Sequence, residues 1–262
     1  KMTTTTDFVV APETAIPRGC LEIELEDNYG VIEAKRLLTD FPKSKLIIGA
    51  NTYIDYAKSN EKPTATARPD EQTGGWYDAF NTALQIKPYE EIKIYHKSKL
   101  VLGVEKLPFA RILAPFEKYA INLGGTMGSL GVEKEAKIFE NETAKIAPVI
   151  CYESIYGEYV TDYVTKGANV IFIITNDGWW EDTPGYKQHL AYAKMRAIET
   201  RRSIARSANT GISCFINQKG EISQATKWWE QDVISGKINL NSELTFYSKH
   251  GDYIGRVSAF IG

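Results

Sequence analysis

Three side chains able to carry nucleophilic chemistry each follow a strand-like run in this sequence. Cys151 ends the run in Val149-Ile150-Cys151-Tyr152-Glu153-Ser154, and a helix-like pattern begins after it. A thiol at a strand-to-helix junction is exposed and orientable, which makes Cys151 the leading candidate nucleophile. Glu13 stands in Ala11-Pro12-Glu13-Thr14-Ala15-Ile16-Pro17, and Lys97 in Tyr95-His96-Lys97-Ser98-Lys99-Leu100-Val101. Thiolate attack on an acyl carbon needs a base for the thiol proton, a cationic or N–H-lined pocket for the oxyanion, and dry surroundings. Glu13 is a candidate base and Lys97 a candidate cation. Each residue also has an ordinary reading. Free Cys mostly packs as a small buried hydrophobe, a Glu after Pro is often a solvated turn residue, and most lysines at strand ends face water. Glu105 reads equally as a loop carboxylate beside a lysine, and Glu153 as a helix-start acid that favours the dipole.

The elements that would position these groups alternate along the chain. Asp7 to Val10 reads as a short buried strand, Tyr29 to Leu38 as a helix and Lys45 to Tyr53 as a strand. The polar stretch from Lys58 to Gly75 reads as an exposed loop, followed by strand-like segments Trp76 to Ile86 and Glu91 to Tyr95. Strands are expected around Ala136 to Phe139 and over Lys145 to Ile150. A helix is expected from Glu153 to Thr165, burying Ile155, Tyr156, Tyr159, Val160, Tyr163 and Val164 at helical spacing. Asn169 to Thr175 reads as a buried strand and Gln188 to Thr200 as an amphipathic helix, with further strands at Ile204 to Ser207, Ile212 to Asn217 and Val233 to Ile238. Leu107 to Gly131 matches neither period; apolar at first and glycine-rich later, it suggests a lid.

Composition bounds the answer. The 262 residues suffice for a large core, and a single α/β domain over residues 1–262 is the favoured organisation. Formal net charge is −2 with both signs interspersed, which argues against a nucleic-acid partner. The longest apolar runs, such as Val170-Ile171-Phe172-Ile173-Ile174, fall far short of the roughly 18 residues needed to span a bilayer. Cys20, Cys151 and Cys214 have no metal-ligand spacing, and their odd number leaves at least one free thiol. With His96, His189 and His250 scattered, no metal and no cofactor are expected.

The strings Pro12-Glu13-Thr14-Ala15-Ile16-Pro17, Tyr95-His96-Lys97 with Gly103-Val104-Glu105-Lys106-Leu107-Pro108, and Ile150-Cys151-Tyr152-Glu153 resemble, in order, the three signature regions of the nitrilase (carbon-nitrogen hydrolase) superfamily. More narrowly, Thr175-Asn176-Asp177-Gly178-Trp179-Trp180, Gln188-His189, and Arg196-Ala197-Ile198-Glu199-Thr200-Arg201-Arg202 through Ala208-Asn209-Thr210-Gly211 are similar to the apolipoprotein N-acyltransferase family. The likeness runs from about Phe8 to Gly262. It implies an α-β-β-α sandwich with Glu13, Lys97 and Cys151 converging from different strand ends. By the resemblance, Glu13 is the general base, Cys151 the acyl-accepting nucleophile and Glu105 a further essential carboxylate. Lys97 and the backbone N–H of Tyr152 form the oxyanion site. Glu153, Trp179, Trp180 and Phe109 are the implied substrate contacts.

The resemblance implies transfer of a fatty acyl chain from a phospholipid through a Cys151 thioester to the N-terminal amine of a diacylglyceryl-cysteine lipoprotein. It also implies work at a membrane surface, on the periplasmic face of a bacterial inner membrane, with a first strand and flanking transmembrane regions outside this chain. Two other readings stay open. The same triad serves a soluble amidase in which water resolves the thioester, and a catalytically inactive binding module is the third. The apolar segment around Phe109 and the Trp179-Trp180 pair suit a lipid-facing mouth better than a small amide pocket, although ordinary core packing would use the same residues.

Overall fold

The computed structural model describes residues 2–59, 61–71, 73–102, 104–106 and 129–261. One sheet takes β1 (Phe8–Val10), β2 (Cys20–Leu21), β3 (Lys45–Asp55), β4 (Arg68–Pro69), β5 (Trp76–Ile86) and β6 (Lys93–His96). A second takes β7 (Phe139–Glu140), β8 (Lys145–Ile150), β9 (Val170–Asn176), β10 (Ile204–Asn209), β11 (Cys214–Ile216) and β12 (Ile222–Ser223). β3 and β5 pair antiparallel from Leu46 opposite Ile86 to Asp55 opposite Tyr77, and β1 runs parallel to β3. In the second sheet β8, β9 and β10 are parallel, with Ile150 opposite Ile174 and Asn209 opposite Asn176. The near-continuous apolar sequences of β8 and β9 fit strands covered on both faces.

One core holds Ile47, Ala83 and Tyr95 of the first sheet together with Ile146, Val149, Ile171 and Ile173 of the second. The same core continues to Tyr159, Val160 and Tyr163 of α2 (Gly157–Thr165) and to Leu190, Ala193 and Ala197 of α3 (Gly185–Thr200). On the other side Val31 and Leu38 of α1 (Tyr29–Thr39) pack with Leu46, Ala50, Leu84 and Ile86. Asn28 starts α1 by accepting from the N–H of Gly30 at 2.9 Å, satisfying an end donor the helix cannot use itself. The layers therefore read helix, sheet, sheet, helix, the expected α-β-β-α sandwich.

Several boundaries differ from expectation. The helix expected from Glu153 is two pieces: a 3-10 turn over Cys151–Ile155, an extended Tyr156, then α2. The break follows from Glu153 turning its carboxylate back to accept from the Ile150 N–H at 2.8 Å, which tightens the chain behind Cys151. The strand expected near Ala136 lies two or three residues later, at Phe139–Glu140. Val233 to Ile238 forms no strand, and Val233 is exposed. The lid expectation and Phe109 fall in residues 107–128, outside the described residues. Among the described residues no helix is long and apolar enough to cross a membrane.

Candidate active site

Glu13 sits on a loop laced onto β3. Gly49 donates to the Pro12 carbonyl at 3.0 Å, and Ile16 donates to the Gly49 carbonyl at 3.1 Å. The loop lies so close to the strand that a Cβ on Gly49 would stand 2.5 Å from Glu13 Cα, so only glycine fits there. Thr14, in the left-handed region at φ 51°, completes the turn that aims Glu13 inward. From the second sheet the Asn176 N–H donates to Glu13 Oε2 at 2.7 Å, so this one carboxylate ties both sheets together at their adjoining strand ends.

Lys97 follows β6, and its N–H donates to the Asn81 carbonyl of β5 at 2.8 Å. Its ammonium lies 3.2 Å from Glu13 Oε1 and 2.7 Å from Glu105 Oε1, with only 1% of the side chain exposed. Asn81 Nδ2 donates to both carboxylates, at 2.6 Å to Glu13 and 2.9 Å to Glu105. The second oxygen of Glu105 accepts from the Val101 N–H at 2.8 Å, which closes the turn after Lys97. Burial alone would depress the Lys97 ammonium, but the charges of Glu13, Cys151 and Glu105 outweigh it and raise its pKa. The cation is permanent.

Cys151 stands at the end of β8 in the left-handed region, at φ 49°. A β-carbon there is costly by roughly 1–3 kcal/mol and persists only where surrounding bonds hold it. The thiol is pushed up to about 12, first by burial and then by Glu13, against the pull of Lys97 and a hydrogen bond with Thr175. At neutral pH the resting group is a thiol. Losing its proton to solvent would add a negative charge to a site that already holds two carboxylates against one ammonium. Passing it to Glu13 leaves the net charge of the site unchanged. A base within the cluster would therefore suit the thiol, and Glu13 is the carboxylate whose charge bears most on it.

The other expected site residues fall into different environments. Tyr152 is the second residue of the 3-10 turn, where backbone N–H groups point out of the turn. Glu153, which the resemblance implies at substrate, is fully buried. Its Oε1 accepts from Tyr95 Oη and the Ser98 N–H, both at 2.6 Å, and its Oε2 accepts from the Ile150 N–H. It clamps the segment after Lys97 to the turn that carries Cys151. Burial pushes its carboxyl up to about 6 despite these donors. Trp179 and Trp180 end the short turn after β9 and are exposed, at 60% and 37%. Cys20 and Cys214 are free thiols buried in the two cores.

Residues 3–243 match the carbon-nitrogen hydrolase family model. The chain belongs to the carbon-nitrogen hydrolase family. Among curated relatives, the apolipoprotein N-acyltransferase of Chlorobaculum tepidum is 30% identical over 257 residues, covering 96% of this chain and 47% of the relative. That of Wigglesworthia glossinidia brevipalpis is 30% identical over 255 residues, covering 96% of this chain and 46% of the relative. The chain thus spans about half the length of the curated relatives it matches. In three dimensions it is similar to an amidase from Nesterenkonia sp. AN1, at TM-score 0.55 and 12% identity over 97% of this chain and 86% of that one. It is also similar to the glutamine-dependent NAD+ synthetase of Acinetobacter baumannii, at TM-score 0.53 and 15% identity over 86% of this chain and 38% of that one. These structures share the carbon-nitrogen hydrolase fold.

Asn81 escaped the sequence reading. Its signal was present: a polar pair, Asn81-Thr82, between the apolar Phe80 and Ala83 in the buried half of β5. Like Lys97, Asn81 donates to both carboxylates, so it holds Glu13 and Glu105 in place beside the ammonium. Asn81→Leu, close to it in volume, is expected to slow thioester formation by about tenfold to a hundredfold, the equivalent of losing a charged hydrogen bond worth about 1.5–3 kcal/mol. Rapid-mixing measurement of acylation against folded-state circular dichroism checks it; an unchanged rate in a folded variant would make Asn81 a packing residue.

Proposed function

We propose that this chain is the catalytic domain of an apolipoprotein N-acyltransferase, using Glu13, Lys97, Cys151 and Glu105. The observation that carries the chemistry is the buried Glu13-Lys97-Glu105 cluster whose charges bear directly on the Cys151 thiol. Glu13 accepts the thiol proton as Sγ bonds to the ester carbonyl carbon of a phospholipid. Lys97 Nζ and the Tyr152 N–H hold the oxyanion, and donors of this kind are each worth about 2.7–4 kcal/mol. The C–O bond breaks and the departing lysophospholipid oxygen takes the proton from Glu13, leaving a thioester on Cys151. The amine of a diacylglyceryl-cysteine lipoprotein then attacks that carbonyl, Glu13 takes the amine proton, and its return to sulfur restores the thiol as the amide leaves.

The choice of acyl donor and acceptor draws its support from the relatives, which carry the N-acyltransferase name over nearly the whole of this chain. The exposed Trp179 and Trp180 beyond β9 suit contact with lipid, since indoles favour the boundary between apolar and wet surroundings. On this reading the domain works at the periplasmic face of a bacterial inner membrane, with phospholipid and lipoprotein as partners.

Incubation of the protein with phospholipid vesicles is expected to add one fatty acyl mass to the peptide containing Cys151. A diacylglyceryl-cysteine peptide should then remove that mass and appear as the N-acyl amide. Turnover of a small amide with no acyl mass taken from phospholipid would overturn the transferase reading in favour of a hydrolase.

A further inference from the structure

Beneath Cys151 lies a second polar cluster that the proposed reaction does not use. His189 of α3, Asp177 in the turn after β9, Arg206 of β10, Ser154 and Thr175 are all buried. His189 Nδ1 lies 3.0 Å from Asp177 Oδ1, and Nε2 lies 3.1 Å from the Cys151 carbonyl oxygen and 2.9 Å from Ser154 Oγ. Ser154 Oγ donates to that same carbonyl at 2.8 Å. Arg206 Nη2 donates to both oxygens of Asp177, at 2.8 and 3.1 Å, and lies 3.3 Å from His189 Nδ1. Thr175 Oγ1 donates to Asp177 Oδ1 at 3.1 Å, and Thr175 also pulls the Cys151 thiol down against its burial.

The proton inventory follows from these partners. Burial would raise the Asp177 carboxyl, but the His189 hydrogen bond and the Arg206 charge outweigh it and hold it below the carboxylate range, so Asp177 is an acceptor only. The Cys151 carbonyl can only accept. Ser154 directs its proton to that carbonyl, leaving its oxygen to accept from Nε2. Each imidazole nitrogen therefore faces acceptors. Among the described residues the Arg206 guanidinium is the cation that faces the ring, and its Nη2 is already committed to Asp177 at a shorter distance than to Nδ1.

We propose that His189 is a positioning residue for the nucleophile: backed by Asp177 and Arg206, its imidazole donates from both nitrogens and pins the Cys151 carbonyl, holding residue 151 in the left-handed conformation from which its thiol meets Glu13. The carbonyl fixes the plane of the 151–152 peptide, so the same bond orients the Tyr152 N–H at the proposed oxyanion site. The brace reaches the nucleophile along two paths that meet at Asp177. One runs through His189 to the Cys151 backbone and the other through Thr175 to its sulfur.

This inference rests on Cys151 being the nucleophile but not on the identity of its acyl donor. The test is alkylation of Cys151 by iodoacetamide, followed by peptide mass spectrometry in the full chain. His189→Ala is expected to lower the second-order rate at Cys151 tenfold or more. His189→Gln, whose amide N–H can still reach the carbonyl, should recover part of it, and the KM for phospholipid should stay unchanged in both. Alkylation of a folded His189→Ala variant at the parent rate overturns the proposal, as does equal loss in the Ala and Gln variants. Should His189→Ala fail to fold, the unsubstituted protein decides: with ¹⁵N-labelled histidine, both ring nitrogens of His189 should carry protons, and one bare nitrogen overturns it. Normal dependence on His189 without acylation by phospholipid would sink the transferase reading alone.

Discussion

Cys151→Ala is expected to abolish acylation of the protein completely, with no acyl mass on any peptide after incubation with phospholipid. The two other thiols cannot substitute. Cys20 and Cys214 lie in the apolar cores, and the thiol of Cys214 is pushed up to about 11, first by burial, with only Arg206 opposing. Neither has a base and a cation beside it as Cys151 has in Glu13 and Lys97. Cys20→Ala and Cys214→Ala should therefore acylate at the parent rate. Fold should survive in Cys151→Ala, since the hydrogen bonds that hold the left-handed residue use its carbonyl rather than its sulfur. Intact-mass measurement separates the cases: an acyl adduct that persists in Cys151→Ala would place the chemistry elsewhere.

What could be read before the fold was known follows a physical divide. Strand-Cys-helix order around residue 151 was legible because apolar runs and helical spacing are local properties, and β8, the turn and α2 do occur in that order. The backbone sign at Cys151 was not legible, since no residue type near it demands a positive φ and the conformation is imposed by Ser154 and His189 from below. Glu153 illustrates the limit from the other side. The resemblance implies a substrate contact there, while its oxygens accept from Tyr95, Ser98 and Ile150, partners that only the folded chain brings together. Asn81 and the Asp177-His189-Arg206 cluster share this character, because a buried polar residue declares its partners only in three dimensions. The tryptophans at 179 and 180 are a middle case: their exposure contradicts plain core packing, while what covers them lies with the lipid reading tested above.

Lys97→Met carries the second large effect, and it acts twice. On the proposed reading Lys97 supplies an ammonium to the oxyanion, and loss of one such donor costs about 2.7–4 kcal/mol, or a hundredfold to a thousandfold in acylation rate. It also stands between Glu13 and Glu105, each within 3.2 Å of its nitrogen and both on the amide of Asn81. Without it the buried Glu13 and half-buried Glu105 carboxylates face one another, and like charges at that range drive one of them to keep a proton. A protonated Glu13 is no base, so the loss in rate should exceed that of an oxyanion donor alone. The same repulsion sets the sign of a stability change. The folded variant binds a proton more tightly than its unfolded chain does, so its stability is greatest at low pH and falls as pH rises through the carboxyl titration. Thermal melts of Lys97→Met should therefore show higher stability near about pH 5 than near about pH 8 relative to the parent, whose buried ammonium compensates both acids. A variant that acylates at the parent rate with a parallel pH profile would reduce Lys97 to a structural lysine and remove the charge argument for the site.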